Sequence, residues 1–524
     1  MMTGSDEQIG ALLAQGRSAI AARRFDRAEV AFAQAVALAP DQADGYLGLS
    51  HALLVLGRHA EAKTATMRLA AMSRLSPAQA FELARRLRHF NEYERLIALL
   101  RDQSLLSAMS PQQLAEAAVL LSDIGEHALA LTLVERGLRL APGHAASLYF
   151  KGNLLFFLGD RNGAEIHYEA ALRADPAMAQ AFWMMAALHT QRHASNHVGR
   201  LRDALRRCPP GSMSETYLNF ALHKELHDLG EHAEAWQALE QACGSARRRI
   251  DYRLSDSLAL LDGIERRCSP AYLAEPMPIT EGGPRPIFIV GMHRSGTTLL
   301  EQMLVRHSQV RSVGESYLFP EQLRGVTNTA ARDALSLDML ARLDSDALRR
   351  AGADYLHAAA WAVQGRDVLV EKLPANALNV GFIRKALPQA RIVWMARDPM
   401  DTCFSNLRVL YSGVAGYSYT QHEMAGYFVA HQRLMQHWER SLPDALLRVD
   451  YAALVAQPEA TLRQVAAFCG LPYQPQMLDL ERAHGAVATA SVGLMQGGLR
   501  ADRARVWAPY AAQLQPLRSA LGLA

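Results

Sequence analysis

The chain has 524 residues, half of them hydrophobic and a fifth charged, with a net charge of +3. Such a length accommodates about two to four domains with full cores. No strongly basic tract argues for nucleic acid, and so small a net charge neither supports nor opposes a local anion pocket. Five scattered cysteines, Cys208, Cys243, Cys268, Cys403 and Cys469, show no C-x-x-C spacing, so neither a zinc site nor a disulfide framework is indicated. The first residues lack a basic region followed by an apolar one, and no apolar run is long enough to span a bilayer, so a cytoplasmic protein is expected.

From about Ile9 to Ala246 the chain reads as successive helices rich in Ala and Leu, with turns carrying Gly or Pro. Pro40, Pro142, Pro176 and Pro210 are separated by 102, 34 and 34 residues, multiples of a 34-residue repeat. Gly16, Ala28, Phe32, Ala35 and Pro40 recur as Gly152, Ala164, Tyr168, Ala171 and Pro176. Small residues let paired helices approach, the aromatic fills the space between them, and proline stops the second helix. This half resembles a tetratricopeptide solenoid. The pattern fades between about 64 and 110, and the pair from Tyr217 to Ala242 is displaced by three residues. Such a solenoid is expected either to bind a partner or substrate, or only to shape or dimerise the C-terminal half.

Pro270, Pro276, Pro278, Pro284 and Pro286, with Gly282-Gly283, read as a linker. The expected domains are thus residues 1–267, a linker at 268–285, and residues 286–524. The third opens with an apolar strand, Ile287-Phe-Ile-Val290, a loop bracketed by Gly291 and Gly296, and a helix from Thr297. A loop running into a helix N-terminus presents backbone N–H groups and a positive dipole end to an anion. The loop has Thr297 where nucleoside-triphosphate loops carry lysine, and Arg294 supplies its charge.

Arg294-Ser-Gly-Thr-Thr298 after that strand resembles the 5′-phosphosulfate loop of sulfotransferases that use 3′-phosphoadenosine 5′-phosphosulfate (PAPS). The resemblance implies donor binding by Arg294, Ser295, Gly296, Thr297 and Thr298. His293 stands where many relatives have proline. Glu315, 21 residues beyond Arg294, matches the base of the protein-tyrosine type, which takes the acceptor hydroxyl's proton. His293, Glu301 and His307 are alternative bases.

Lys372, at the end of Val368-Leu-Val-Glu-Lys372, resembles the lysine that offsets charge on the leaving group. Arg397 and Ser405, eight apart, resemble the 3′-phosphate segment, where a forked guanidinium suits phosphate, although Arg-Asp-Pro at a strand end also reads as a salt bridge and helix cap. Tyr451 is a candidate contact for adenine, and Ser491 resembles a hydroxyl that returns to the phosphosulfate. Toward the C-terminus the resemblance weakens, with Val506 where relatives place a basic residue before tryptophan.

The expected fold is a P-loop-like parallel α/β domain flanked by helices, preceded by an all-α solenoid. The expected activity is sulfuryl transfer from PAPS, without a metal, to a hydroxyl of a protein, peptide or small molecule, the tyrosine type being favoured. Charge developing at the sulfuryl group and leaving oxygen falls to Lys372, Arg294 and Ser491. Two alternatives stand: a magnesium-dependent kinase or GTPase with a substitute for the missing loop lysine, and a non-catalytic solenoid scaffold that still binds nucleotide. No nucleic-acid partner and no transmembrane segment are expected.

Overall fold

A computed structural model describes residues 4–278, 282–331, 333–411, 413–480 and 505–523. The N-terminal half is a stack of antiparallel helix pairs. Pairing is set by small residues meeting aromatics: a Cβ on Gly152 would come within 2.5 Å of the Tyr168 ring, and one on Gly16 within 2.6 Å of Phe32. Those two glycines therefore fix how closely each pair packs.

The turn inside each of the first five pairs has one residue in the left-handed region, at Arg23, Gly57, Asn91, Gly125 and Gly159, with φ between 54° and 92°. These positions are 34 residues apart throughout. The fading pattern between 64 and 110 thus conceals an intact register. Helices Pro77–His89 and Tyr93–Leu99 flank the Asn91 turn, and Asn91 adopts the conformation that glycine takes elsewhere. Asparagine tolerates that conformation, so the period survives the lost glycine. Ser76 caps the first of these helices through a capping box with Gln79. The last pair, Met213–Asp228 and His232–Arg247, turns at Gly230, displaced from strict register as expected.

The stretch expected to be a linker contains a helix, Pro270–Ala274, with proline at its start, where a missing N–H costs nothing. Its Tyr272 and Leu273 are buried in the core of the C-terminal half, together with Leu261 and Ile264 of helix Leu254–Arg267.

The C-terminal half holds a five-stranded sheet in the order β2-β3-β1-β4-β5, formed by β1 (Arg285–Gly291), β2 (Val310–Ser312), β3 (Val368–Lys372), β4 (Arg391–Ala396) and β5 (Leu446–Asp450). Every pairing is parallel. Both faces are covered, which explains the unbroken apolar run of β1. Phe288 and Val290 pack with Trp394 and the helices Ser345–Ala362 and Gln421–Ser441. Ile287 and Ile289 pack on the other face with Leu300, Met303, Leu462 and Val465. The expected parallel α/β domain behind a helical solenoid is therefore present. No helix among the described residues is long and apolar enough to cross a membrane.

The halves meet at two places. Near one end of the solenoid, His59 Nε2 lies 2.8 Å from Glu321 Oε1, both side chains being buried. Near the other, Arg247 makes a forked ion pair with Glu423, at 2.8 Å in each arm, and Arg408 Nε donates to His223 Nε2 at 2.9 Å. There Phe182, Leu222 and Leu239 share one core with Cys403, Phe404 and Tyr510.

Candidate active site

The loop between β1 and helix Thr297–Leu304 is built from two constrained residues. Gly296 has φ 103°, and a Cβ there would come within 2.4 Å of the Tyr451 ring. Arg294 is also left-handed, with φ 69°, which turns its side chain out of the loop. Arg294 Nε donates to Ser405 Oγ at 3.1 Å, and Arg397 Nη1 donates to the Arg294 carbonyl at 3.1 Å. The Arg397 guanidinium lies 4.6 Å from the centroid of the Tyr451 ring. One end of the crevice thus brings together Arg294, Gly296, Arg397, Ser405 and Tyr451. This is the carboxyl end of β1 and β4, where parallel sheets place ligands.

Ser295, Thr297 and Thr298 are buried in the same loop. The Ser295 hydroxyl has no partner among the described residues, an unmet hydrogen-bonding group beside a helix N-terminus. Two guanidinia, several hydroxyls and first-turn amides form a donor set that fits a nucleotide carrying phosphate at two positions. The structural reading of Arg397-Asp-Pro is also realised. Asp398 caps helix Pro399–Leu407 by accepting from Asp401 N–H at 2.9 Å, and Arg397 approaches Asp401 at 4.0 Å.

At the neighbouring strand end Lys372 is fully buried, donates to Glu315, and has Glu301 at 3.6 Å. Its backbone N–H donates to the Gly314 carbonyl at 3.0 Å, so the strand that carries the lysine also anchors the segment that carries the glutamate. Burial pushes the Glu315 carboxyl up, but the Lys372 charge and hydrogen bond, aided by His293 and Arg294, outweigh it and hold the group below the ordinary range. Burial pushes Glu301 up, and Lys372 and Ser312 offset this only in part. For Lys372, burial is outweighed by the two carboxylates, which raise its pKa. The Glu315 side chain keeps 38% of its surface exposed, whereas Lys372 keeps none. The carboxylate therefore faces open space and its lysine lies behind it.

Of the alternative bases, His307 is occupied: its Nδ1 accepts from Gln309 N–H at 3.1 Å and its Nε2 donates to the Pro472 carbonyl at 2.9 Å. Glu301 is buried and accepts from Ser312 Oγ at 2.6 Å. His293 places Nδ1 2.9 Å from the Tyr417 hydroxyl, and burial lowers its pKa. Ser491 lies outside the described residues.

Two features of the site went unseen in the sequence. Glu371, next to Lys372, is buried and accepts from Phe319 N–H at 3.3 Å and from Asn376 Nδ2 at 3.2 Å. Burial raises its pKa to about 7. From the solenoid, Tyr93 Oη donates to the Ser316 carbonyl at 2.7 Å, and Asn91 Nδ2 donates to the Ser316 and Tyr317 carbonyls at 3.0 and 3.1 Å. Residues 314–319, which carry Glu315, are pinned by β3 on one side and by the solenoid on the other. The loss of the turn glycine at Asn91 was the one trace of this in the sequence.

Both halves of the sequence match known proteins. Residues 286–475 match the sulfotransferase family. Residues 145–178 match the tetratricopeptide repeat and lie N-terminal to that domain. A protein of Aquifex aeolicus described only as uncharacterized is 26% identical over 57% of this chain and 40% of its own length. Protein-tyrosine sulfotransferase 1 of Danio rerio is 24% identical over 40% of this chain and 60% of its own. The chain therefore spans less than two thirds of either relative. Among solved structures, the sulfotransferase domain of the Synechococcus PCC 7002 olefin synthase is 16% identical, covering 45% of this chain and 98% of that one with a TM-score of 0.29.

Proposed function

We propose that this chain transfers the sulfuryl group of PAPS to a hydroxyl, with a tyrosine of a protein or peptide as the acceptor. The observation that carries the reading is the buried Lys372 in contact with Glu315, beside a loop whose Arg294 is joined to Ser405 and Arg397. Bound PAPS would supply an activated sulfuryl group whose leaving oxygen belongs to adenosine 3′,5′-bisphosphate.

This chain's residues then do the rest. Arg397 and Ser405 hold the 3′-phosphate, Tyr451 contacts the adenine, and Arg294, Ser295, Gly296, Thr297 and Thr298 hold the phosphosulfate. Glu315 accepts the acceptor hydroxyl's proton as the oxygen attacks sulfur. Lys372 and Arg294, with Ser491, offset charge at the sulfuryl group and the departing oxygen. These charges are met by side chains, so the proposal includes no metal. A carboxylate held below its ordinary range is a weak base, which favours a phenol, with a pKa near ~10, over a less acidic alcohol. We place the protein in the cytoplasm, in keeping with its five free cysteines.

The test is calorimetric titration with adenosine 3′,5′-bisphosphate, with magnesium ATP as competitor. The expected result is binding that is indifferent to magnesium and about tenfold or more weaker in Arg397→Ala, the loss of a charged hydrogen-bonding partner. Preference for magnesium ATP would reject the donor assignment in favour of a kinase-type site.

A further inference from the structure

We propose that the solenoid forms one wall of the acceptor site and selects the peptide by the charge beside its tyrosine, an inference that rests on the function proposed above. A cavity of about 930 Å³ lies between the halves. Its catalytic-domain side includes Glu315, Arg294 and Thr297, whereas Arg397, Ser405 and Tyr451 do not line it. It thus opens on the reacting end of the donor site, and the nucleotide end lies elsewhere. A volume near the upper end of single-ligand pockets leaves room for a peptide segment rather than a lone phenol.

The opposite side comes from the turns of successive repeats: Arg88 and Tyr93, residues 122–126, and Phe157. The solenoid is anchored at His59 and Tyr93 on one flank and at His223 and Arg247 on the other, so these turns close the space between its two footings. Ser316, next to Glu315, also lines the cavity, and its buried Oγ has no partner among the described residues.

The two walls differ in charge. The solenoid presents Asp123 and Glu126, with Arg88 3.8 Å from Asp123, and the facing wall presents Arg306, Arg311 and Arg366. Half of the Asp123 side chain is exposed. A peptide between them is favoured when a basic residue lies toward the solenoid.

The probes are synthetic peptides with one central tyrosine flanked by lysine or by glutamate, labelled from PAPS carrying radioactive sulfur. The quantity is the ratio of kcat/KM for the lysine-flanked peptide to that for the glutamate-flanked one. Reversing both charges (Asp123→Arg with Glu126→Arg) should lower the ratio about tenfold at low salt and far less at ~1 M salt, with bisphosphate affinity unchanged. Asp123→Asn, a milder change on an exposed turn, should lower it about two- to threefold and covers the case in which the double variant fails to fold. An unchanged ratio in either folded variant would overturn the role of the solenoid and leave the proposed reaction standing. No labelling of any peptide by the unmodified protein, despite bisphosphate binding, would overturn both the peptide acceptor and this wall.

Discussion

Two repeat turns with the same backbone conformation do different work. At Gly159, between helices Ala145–Phe157 and Arg161–Ala174, φ is 92° and the residue turns the chain with no side chain to reach beyond it. At Asn91, two periods earlier, φ is 54° and the side chain reaches two carbonyls of the segment bearing Glu315. The next turn position but one, the first residue of the second helix, obeys the same logic. His59 and Tyr93 stand there in adjacent repeats and reach Glu321 and Ser316, whereas His127 stays within the solenoid, 3.1 Å from Ser122. A repeat position is thus free to serve packing in one unit and the active site in another.

The largest effect expected at this junction is a pH dependence of stability set on the strand side of the same segment. Glu371 is raised to about 7 in the folded chain, so between the ordinary carboxyl range and pH 7 the folded state binds a proton that the unfolded state has released. Stability should therefore fall as pH rises across that window, by up to about 3 kcal/mol, and level off above it. Glu371→Gln, which keeps one accepting oxygen for Phe319, should flatten that fall in denaturant titrations at pH 5 and pH 7.5 (about one unit of pKa shift being worth ~1.4 kcal/mol).

On the solenoid side, Tyr93→Phe removes the hydroxyl that the Ser316 carbonyl, at 2.7 Å, and Asn91 Oδ1, at 2.8 Å, share, a loss of about 1 kcal/mol. Its expected signature is a kcat lower by about fivefold with the KM for PAPS and the bisphosphate affinity unchanged, because Glu315, the proposed base, shifts while the donor loses no contact. A lowered melting temperature with unchanged kcat would reduce Tyr93 to a domain joint. The smallest effects belong to the swap of turn residues. Asn91→Gly keeps the left-handed turn and should cost within ~1 kcal/mol of stability while lowering kcat; Gly159→Asn should cost as little and leave kcat alone.

Most of the catalytic half was legible because its signals are local. A strand, a loop and a helix N-terminus succeed one another at Ile287–Leu304, and Lys372 and Arg397 each end an apolar strand. Parallel pairing then carries those strand ends to one crevice without further instruction from the sequence. The contact of Tyr93 with Ser316 was not legible, since it joins residues 223 apart through one hydroxyl and a carbonyl. The fading of the repeat pattern between about 64 and 110 has a related cause: Asn91 stands where glycine turns several other units, although asparagine can hold the same φ. The proline-rich stretch before β1 misled in the opposite direction, because Pro270 at a helix start is permitted and Tyr272 gives that short helix a core to join.

The most direct test of sulfuryl transfer at this site compares the unmodified chain with Glu315→Ala, tracing radioactive sulfur from PAPS into tyrosine peptides and measuring bisphosphate affinity on the same samples. Labelling by the unmodified chain, reduced by about a hundredfold or more in the variant at equal bisphosphate affinity, is the expected result. Labelling that survives in the variant, or an equal loss of labelling and of bisphosphate binding, would contradict the assignment of Glu315 as the base.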